Sequence, residues 1–193
     1  MKKLITIILL FSSISFGQGI KVGLTGGLVN FMAPDQFTKS IQDGGFGFKN
    51  SFGFGLKGKF EIPLIPLSAN ASINYIPLSS KKNSIEIKSN ILSLGVGAEW
   101  SFIPGPLSPY ASLDLLFNSF GELEIKTPLG TLKEKSFTRN GIAIGGGISF
   151  TLLPVLDFDL SAKYAYYNLL GAKNGEKANT SLNIMGTIYY NIL

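Results

Sequence analysis

From Ser51 to Ile62 apolar and polar residues alternate. Phe52, Phe54, Leu56, Phe60 and Ile62 share one parity, while Ser51, Gly53, Gly55, Lys57, Lys59 and Glu61 share the other. Successive side chains of a β-strand point to opposite faces, so this segment is a strand with one greasy side and one polar side. Ile91 to Phe102 repeats the pattern, with Leu92, Leu94, Val96, Ala98, Trp100 and Phe102 opposite Ser93, Gly95, Gly97, Glu99 and Ser101. Helical periodicity is nearly absent after the first residues. The same period-2 test finds eight strands, at Gly19–Asn30, Ser51–Ile62, Leu67–Ile76, Ser89–Phe102, Pro109–Phe120, Arg139–Leu152, Leu156–Leu170 and Thr180–Leu193. A tilted strand of roughly 9–11 residues crosses a bilayer, and each of these is long enough.

The connections alternate in length. Tight proline-bearing turns at Pro63–Pro66, Pro104–Pro106 and Pro154 follow strands two, four and six, and long polar links follow strands one, three, five and seven. Short turns on one rim and long loops on the other are the pattern of outer-membrane barrels, with the short side periplasmic. Only 15% of the residues are charged, against the roughly 25% of soluble chains. No apolar run reaches the roughly 20 residues of a membrane helix, so bilayer entry requires a closed barrel, in which every backbone group is paired.

Lys2 and Lys3, the apolar run Leu4–Phe11 and the small-x-small site Ser15-Phe16-Gly17 read as a cleaved signal peptide over 1–17, with the barrel over 18–193. Removing Lys2 and Lys3 leaves 15 basic against 12 acidic residues, a net +3 where the whole chain has +5. So weak and scattered a charge gives no footprint for nucleic acid. The chain has no cysteine, so an exported barrel of this sequence is stabilised by closure and not by disulfides.

Alternation is shared with soluble ligand carriers of the lipocalin kind, which put the apolar side inside. The size of the polar residues favours the membrane. In strand six the polar side is Gly141, Ala143, Gly145, Gly147, Ser149 and Thr151, which suits the cramped interior of an eight-stranded barrel and not a solvated surface. A soluble periplasmic carrier stays as the alternative of a different class. The aromatics fall in two girdles on the apolar face. Phe60, Trp100, Phe102, Phe150, Phe158 and Tyr190 lie toward the short turns, and Phe52, Phe54, Tyr75, Phe117, Tyr164 and Tyr166 lie toward the long loops.

The chain has no histidine and no cysteine, hence neither the usual general base nor a thiol nucleophile. Gly145-Gly146-Gly147 sits mid-strand and not at a phosphate-binding turn. Neither a metal site nor a cofactor is expected, and the chain reads as a non-enzyme. The polar face carries Lys21, Lys57, Lys59, Glu61, Glu99, Asp114, Arg139, Asp157, Asp159 and Lys163, five charges of each sign, which a narrow lumen requires to pair. Lys57, Glu99, Asp114 and Lys163 are the candidate cluster, either a static plug or a gate. Lys81, Lys82 and Lys88 in one loop, and Lys126, Lys133 and Lys135 in another, would attract lipopolysaccharide phosphates if they are more than a solvated rim. Glu122–Thr138 alternates weakly around Pro128-Leu129-Gly130, which predicts that strands five and six continue as a hairpin above the membrane, whose edge could recruit a surface protein.

Gly19-Ile20-Lys21-Val22-Gly23-Leu24 resembles the first strand of the outer-membrane β-barrel domain family of Bacteroidetes and their relatives. Leu94-Gly95-Val96-Gly97-Ala98-Glu99-Trp100 and Gly141-Ile142-Ala143-Ile144-Gly145-Gly146-Gly147 are similar to its later strands. The resemblance implies an eight-stranded antiparallel up-and-down transmembrane barrel, akin to the transmembrane domain of outer-membrane protein A and to outer-membrane protein X. It also implies membrane lipid as surroundings and the barrel-assembly machinery as a partner. Two departures stand out: no peptidoglycan-binding domain follows strand eight, and the chain ends Tyr189-Tyr190-Asn191-Ile192-Leu193 where the family commonly closes on an aromatic. The functional expectation is a monomeric structural or surface-interaction protein, with a narrow channel for small solutes or apolar molecules as the alternative.

Overall fold

The computed structural model describes residues 19–103, 105–172 and 175–192. The expected signal peptide at 1–17 lies outside the described residues, as do Pro104 of the second turn and Leu193. Among the described residues ten strands form one sheet: β1 (Ile20–Ala33), β2 (Asn50–Glu61), β3 (Leu67–Lys82), β4 (Ile85–Ser101), β5 (Leu107–Phe120), β6 (Leu123–Thr127), β7 (Gly130–Glu134), β8 (Phe137–Leu153), β9 (Leu156–Leu170) and β10 (Thr180–Asn191). All pairings are antiparallel. β1 pairs with β2 on one side and with β10 on the other, from Lys21 opposite Asn191 to Ala33 opposite Thr180, and this seam closes the eight spanning strands into a barrel. Closure leaves no spanning strand with an unpaired edge, which is the condition for placing backbone in hydrocarbon.

The apolar parity faces outward. Leu24 is 70% exposed, Ile144 57% and Phe54 51%, whereas Ser93 is 4% exposed and Glu99 fully buried. A soluble carrier would enclose the first three and expose the last two, so that alternative is overturned.

Three expectations about the long-loop rim need correction. The link after the third strand is not a loop: β3 runs on to Lys82, and β4 begins at Ile85, with Asn83 in the left-handed region (φ 53°) at the tip of a tight hairpin. Pro77 hid the continuation, since proline donates no ladder hydrogen bond. Here β2 stops pairing with β3 at Phe54 opposite Tyr75, and the Ser51 hydroxyl donates to the Pro77 carbonyl. The N and C=O of a strand residue point the same way, so the missing N–H faces the side where no ladder continues.

The link after strand one is not simply polar either. It carries Phe37, Phe46 and Phe48 over the barrel mouth, held by hydrogen bonds from Phe46 N to the Gln36 carbonyl (2.7 Å) and from Phe48 N to the Phe37 carbonyl (2.7 Å). Strands five and six do not simply continue upward. β5 and β8 end their pairing at Phe120 opposite Phe137, and β6 and β7 form a separate hairpin that leans on the β4 extension, with Glu86 opposite Lys126 and Lys88 opposite Glu124.

Candidate functional site in the barrel lumen

The inward parity of the strands builds the lumen as a stack of layers. Nearest the short turns, Lys21 of β1 lies 2.6 Å from Glu61 of β2 and 2.5 Å from Asp157 of β9. These three residues line a vestibule of about 740 Å³ that reaches inward to Lys59.

The next layer blocks the axis. Lys57 and Lys59 are two residues apart on β2 and therefore project to the same side. Glu99 of β4 stands between them, with Oε1 2.7 Å from Lys57 Nζ and Oε2 3.0 Å from Lys59 Nζ, and Asp159 Oδ1 lies 4.0 Å from Lys57. All four are at most 6% exposed. Tyr110 donates its hydroxyl to Asp159 Oδ1 at 2.9 Å. The Lys57 ammonium is 5.9 Å from the ring centres of both Tyr110 and Tyr189, and that of Lys59 is 5.3 Å from Tyr110. Two positive and two negative charges with two phenols thus fill one cross-section. Opposite charges at such short range offset the cost of desolvating each other, and the aromatic faces add cation–π attraction.

Above this layer a chamber of about 80 Å³ contains the second pair, Lys163 Nζ to Asp114 Oδ2 at 2.6 Å. Lys57 lines this chamber whereas Lys59 lines the vestibule below, so Glu99 marks the partition between them. The expected cluster of Lys57, Glu99, Asp114 and Lys163 is therefore two separate pairs, with Lys59 sharing Glu99. Higher still, Ser93 donates to Asn118 Oδ1 (2.7 Å) and Asn118 Nδ2 to the Tyr167 carbonyl (2.8 Å).

The outer end of the lumen is apolar. Val29, Phe31, Ile76, Ile91, Phe120 and Tyr167 are each at most 3% exposed, and Phe48 of the first loop packs among them. Phe37 joins this cluster at ring distances of 5.7 Å to Phe31, 5.9 Å to Phe46 and 5.7 Å to Phe48. Above the cap lies an open vestibule of about 440 Å³. Nine of the ten inward charges lie in the three groups described. Arg139 differs, because at the outer mouth it forks onto Glu176 of the last loop, with Nη2 2.7 Å from Oε2.

Residue parity places Tyr110 and Tyr189 in the lumen, the first with Ser112 and Asp114 and the second with Thr187. An aromatic-girdle reading passes over them because it attends to the outward parity alone. The aromatic cap had no periodic signal, since Phe37, Phe46 and Phe48 sit in a loop.

On the outer face Phe52, Phe54, Tyr75, Trp100, Phe102, Phe117, Tyr164 and Tyr190 are exposed, while Phe60, Phe150, Phe158 and Tyr166 are half-buried by neighbours. Phe54 packs on Tyr75 at 5.5 Å and Phe150 on Phe158 at 5.0 Å. Of the six loop lysines, Lys88, Lys126 and Lys133 each lie within 3.8 Å of a carboxylate, on Glu86, Glu124 and Glu122.

A closed eight-strand barrel with lipid-facing aliphatics and a charged, plugged lumen restricts the choice of relatives. A family model described as the outer membrane protein beta-barrel domain matches residues 9–186. The chain belongs to that family. Solved outer-membrane barrels share the fold. Neisserial surface protein A is 17% identical, with a TM-score of 0.60 over 91% of this chain and 97% of that one. A major outer membrane protein from Thermus thermophilus is 12% identical, with a TM-score of 0.62 over 90% and 99%. Ail, the attachment invasion locus protein of Yersinia pestis, solved with the heparin analogue sucrose octasulfate, is 18% identical, with a TM-score of 0.54 over 89% and 96%. Comparison with curated proteins gives no match. This chain is thus an outer-membrane β-barrel protein, and its lumen and loops are the places to look for its role.

Proposed function

We propose that this outer-membrane barrel is a closed, non-enzymatic surface-interaction protein that contributes to envelope integrity or adhesion. Two seals in series support this: the Lys57–Glu99–Lys59 layer with its two tyrosines below, and the Phe31–Phe48–Phe120 cap above. Each closes the axis in a different chemistry, so one rearrangement does not open both. A chain without histidine or cysteine is poorly equipped for hydrolytic or acyl-transfer chemistry. The long strands β3 and β4 and the β6–β7 hairpin carry polar backbone well beyond the girdles, into reach of other molecules.

The free side of β7, whose residues Gly130 to Glu134 are all exposed, is the contact surface we assign to a protein partner joining by strand addition. Lys81, Lys82 and Lys135, which lie outside the carboxylate pairs above, are assigned to lipopolysaccharide phosphates. The experiment pairs planar-bilayer recording of the purified protein with a cell-binding assay, comparing wild type with a deletion of 124–135. Silent recordings together with lost adhesion in the deletion are expected; steady conductance, or adhesion unchanged by the deletion, would refute the proposal.

A channel is the second reading. Lys57 has Glu99 at 2.7 Å and Asp159 at 4.0 Å, so its ammonium has an alternative partner within a small displacement. If that exchange gates conduction, Glu99→Ala or Asp114→Ala opens the barrel by itself; if the ion pairs are a plug behind a cap, the trace stays closed.

A further inference from the structure

β7 ends the strand order beyond β6, and its five residues, Gly130–Glu134, are all exposed. The link between β6 and β7 is the two-residue turn Pro128-Leu129, so Thr127 opposite Gly130 is the hydrogen-bonded pair beside the turn. Hydrogen-bonded and non-hydrogen-bonded pairs alternate along an antiparallel ladder, which makes Ile125 opposite Leu132 the next hydrogen-bonded pair. Leu132 therefore aims its N–H and C=O at β6, whereas Thr131 and Lys133 aim theirs out of the sheet. Among the described residues neither makes a backbone hydrogen bond on that side.

The sequence of this edge fits itself. When β7 pairs antiparallel with β7 of a second copy over all five residues, Leu132 falls opposite Leu132, Thr131 opposite Lys133 and Gly130 opposite Glu134. No like charges are directly opposed. Thr131 and Lys133 exchange the hydrogen bonds, and the two Leu132 form the non-hydrogen-bonded pair at the two-fold axis, where side chains approach most closely. The neighbouring registers open to the same groups are poorer. A shift toward the hairpin base sets Lys133 against Lys133, which is destabilising, and a shift toward the tip leaves Lys133 and Glu134 opposite Leu129 and Pro128 of the turn.

The direction of β7 decides where the second copy stands. β4 runs unbroken from the span to Ile85, and β6 pairs with it at Glu86 to Lys88, so β7 follows the direction of the wall strands. The two-fold axis of an antiparallel pair stands perpendicular to its sheet. For a sheet that continues a barrel wall, this axis lies along the membrane plane and turns the second barrel upside down. We propose that β7 is a homophilic contact, pairing antiparallel with β7 of a second copy of this chain anchored in an apposed membrane. This contact rests on the strand-addition reading above and names its partner. Two copies in one membrane stand the same way up and do not form it. A pair of five-residue edges binds weakly, and many copies on facing surfaces act together.

The chain has no cysteine, so one introduced thiol reports the register. Cα atoms of a non-hydrogen-bonded pair lie about 4.5 Å apart, within disulfide range. Full-length Leu132→Cys barrels are reconstituted, loops outward, into two vesicle populations, one with an epitope-tagged chain, and the populations are mixed under mild oxidation. Disulfide dimers joining tagged to untagged chains are expected. Lys133→Cys, whose two copies stand two residues out of step, should give at least about tenfold fewer. Wild-type vesicles should dock, as read by turbidity. Lys133→Pro removes an outward N–H but no bond to β6, and should reduce docking to the level of protein-free vesicles. Absent docking, or equal cross-linking of the two cysteine variants, would overturn the homophilic contact. Dimers formed in vesicles that carry both chains and are tethered singly to a surface would overturn the apposed orientation. Adhesion lost on deleting 124–135 without any vesicle docking would give the edge to a different protein and leave strand addition standing, whereas adhesion unchanged by the deletion would remove both.

Discussion

Lys57 of β2 and Glu99 of β4 meet across the barrel interior with 2.7 Å between Nζ and Oε1, and neither side chain has more than 7% of its surface exposed. Removing one member of such a pair strands the other in a low-dielectric interior. Glu99→Ala leaves both Lys57 and Lys59 without their shared carboxylate, and a loss of about 3–5 kcal/mol is expected. The midpoint of urea unfolding in lipid vesicles, followed by heat-modifiable gel migration, measures it. Asp35→Ala, at the exposed loop pair with Lys39, provides the contrast and should leave the midpoint in place.

The two seals also predict how conduction responds to combined substitution. Phe48→Ala opens the aromatic cap but leaves the charged layer intact, and Glu99→Ala does the reverse. Each single variant should record as closed in a planar bilayer. Phe48→Ala combined with Glu99→Ala should conduct, and a silent double variant would mean that Tyr110 and Tyr189 alone suffice to block the axis.

Two glycines, Gly145 and Gly58, should differ in their tolerance. A Cβ at Gly145 of β8 would sit 2.1 Å from the Ala162 carbonyl oxygen and 2.7 Å from Lys163 Cα, both backbone atoms of β9. At Gly58 of β2 the nearest atoms are 4.0 Å away. Gly145→Ala is expected to destabilise by about 1–3 kcal/mol through crowding, and Gly58→Ala to fold as wild type does. The folded fraction after refolding into vesicles distinguishes the two.

Orientation in the bilayer predicts a depth dependence. Val96 is 45% exposed on the outer face midway along the spanning part of β4, and Phe102 lies just beyond its short-turn end. Val96→Arg should cost about 2–4 kcal/mol, and Phe102→Arg about 0–1 from the charge itself. Equal penalties at both positions in a vesicle-folding titration would contradict the assigned membrane plane.

The spanning strands were legible in the sequence because a barrel wall has two environments, and the parity of Phe52 to Ile62 or Leu92 to Phe102 records them residue by residue. The inward charges were legible for the same reason, although which lysine meets which carboxylate depends on strand stagger that parity does not encode. For that reason four candidate residues resolve into two pairs, and Arg139 finds Glu176 in a loop. The extension of β3 was concealed by Pro77, whose effect on a strand depends on which neighbour its nitrogen faces. The cap over the mouth left no trace because loop residues such as Phe37 and Phe46 follow no period; only the finished barrel brings them over Phe31 and Phe120.

The seam between β1 and β10 joins Lys21 to Asn191, the beginning of the wall to its end. Neither strand has another way to satisfy that edge inside lipid, so no shorter stretch of this polypeptide is a viable insertion unit. Formation of the wall is consequently all-or-nothing: until the ring is zipped shut at this seam, each of the two strands keeps a row of unsatisfied backbone groups that hydrocarbon cannot accommodate.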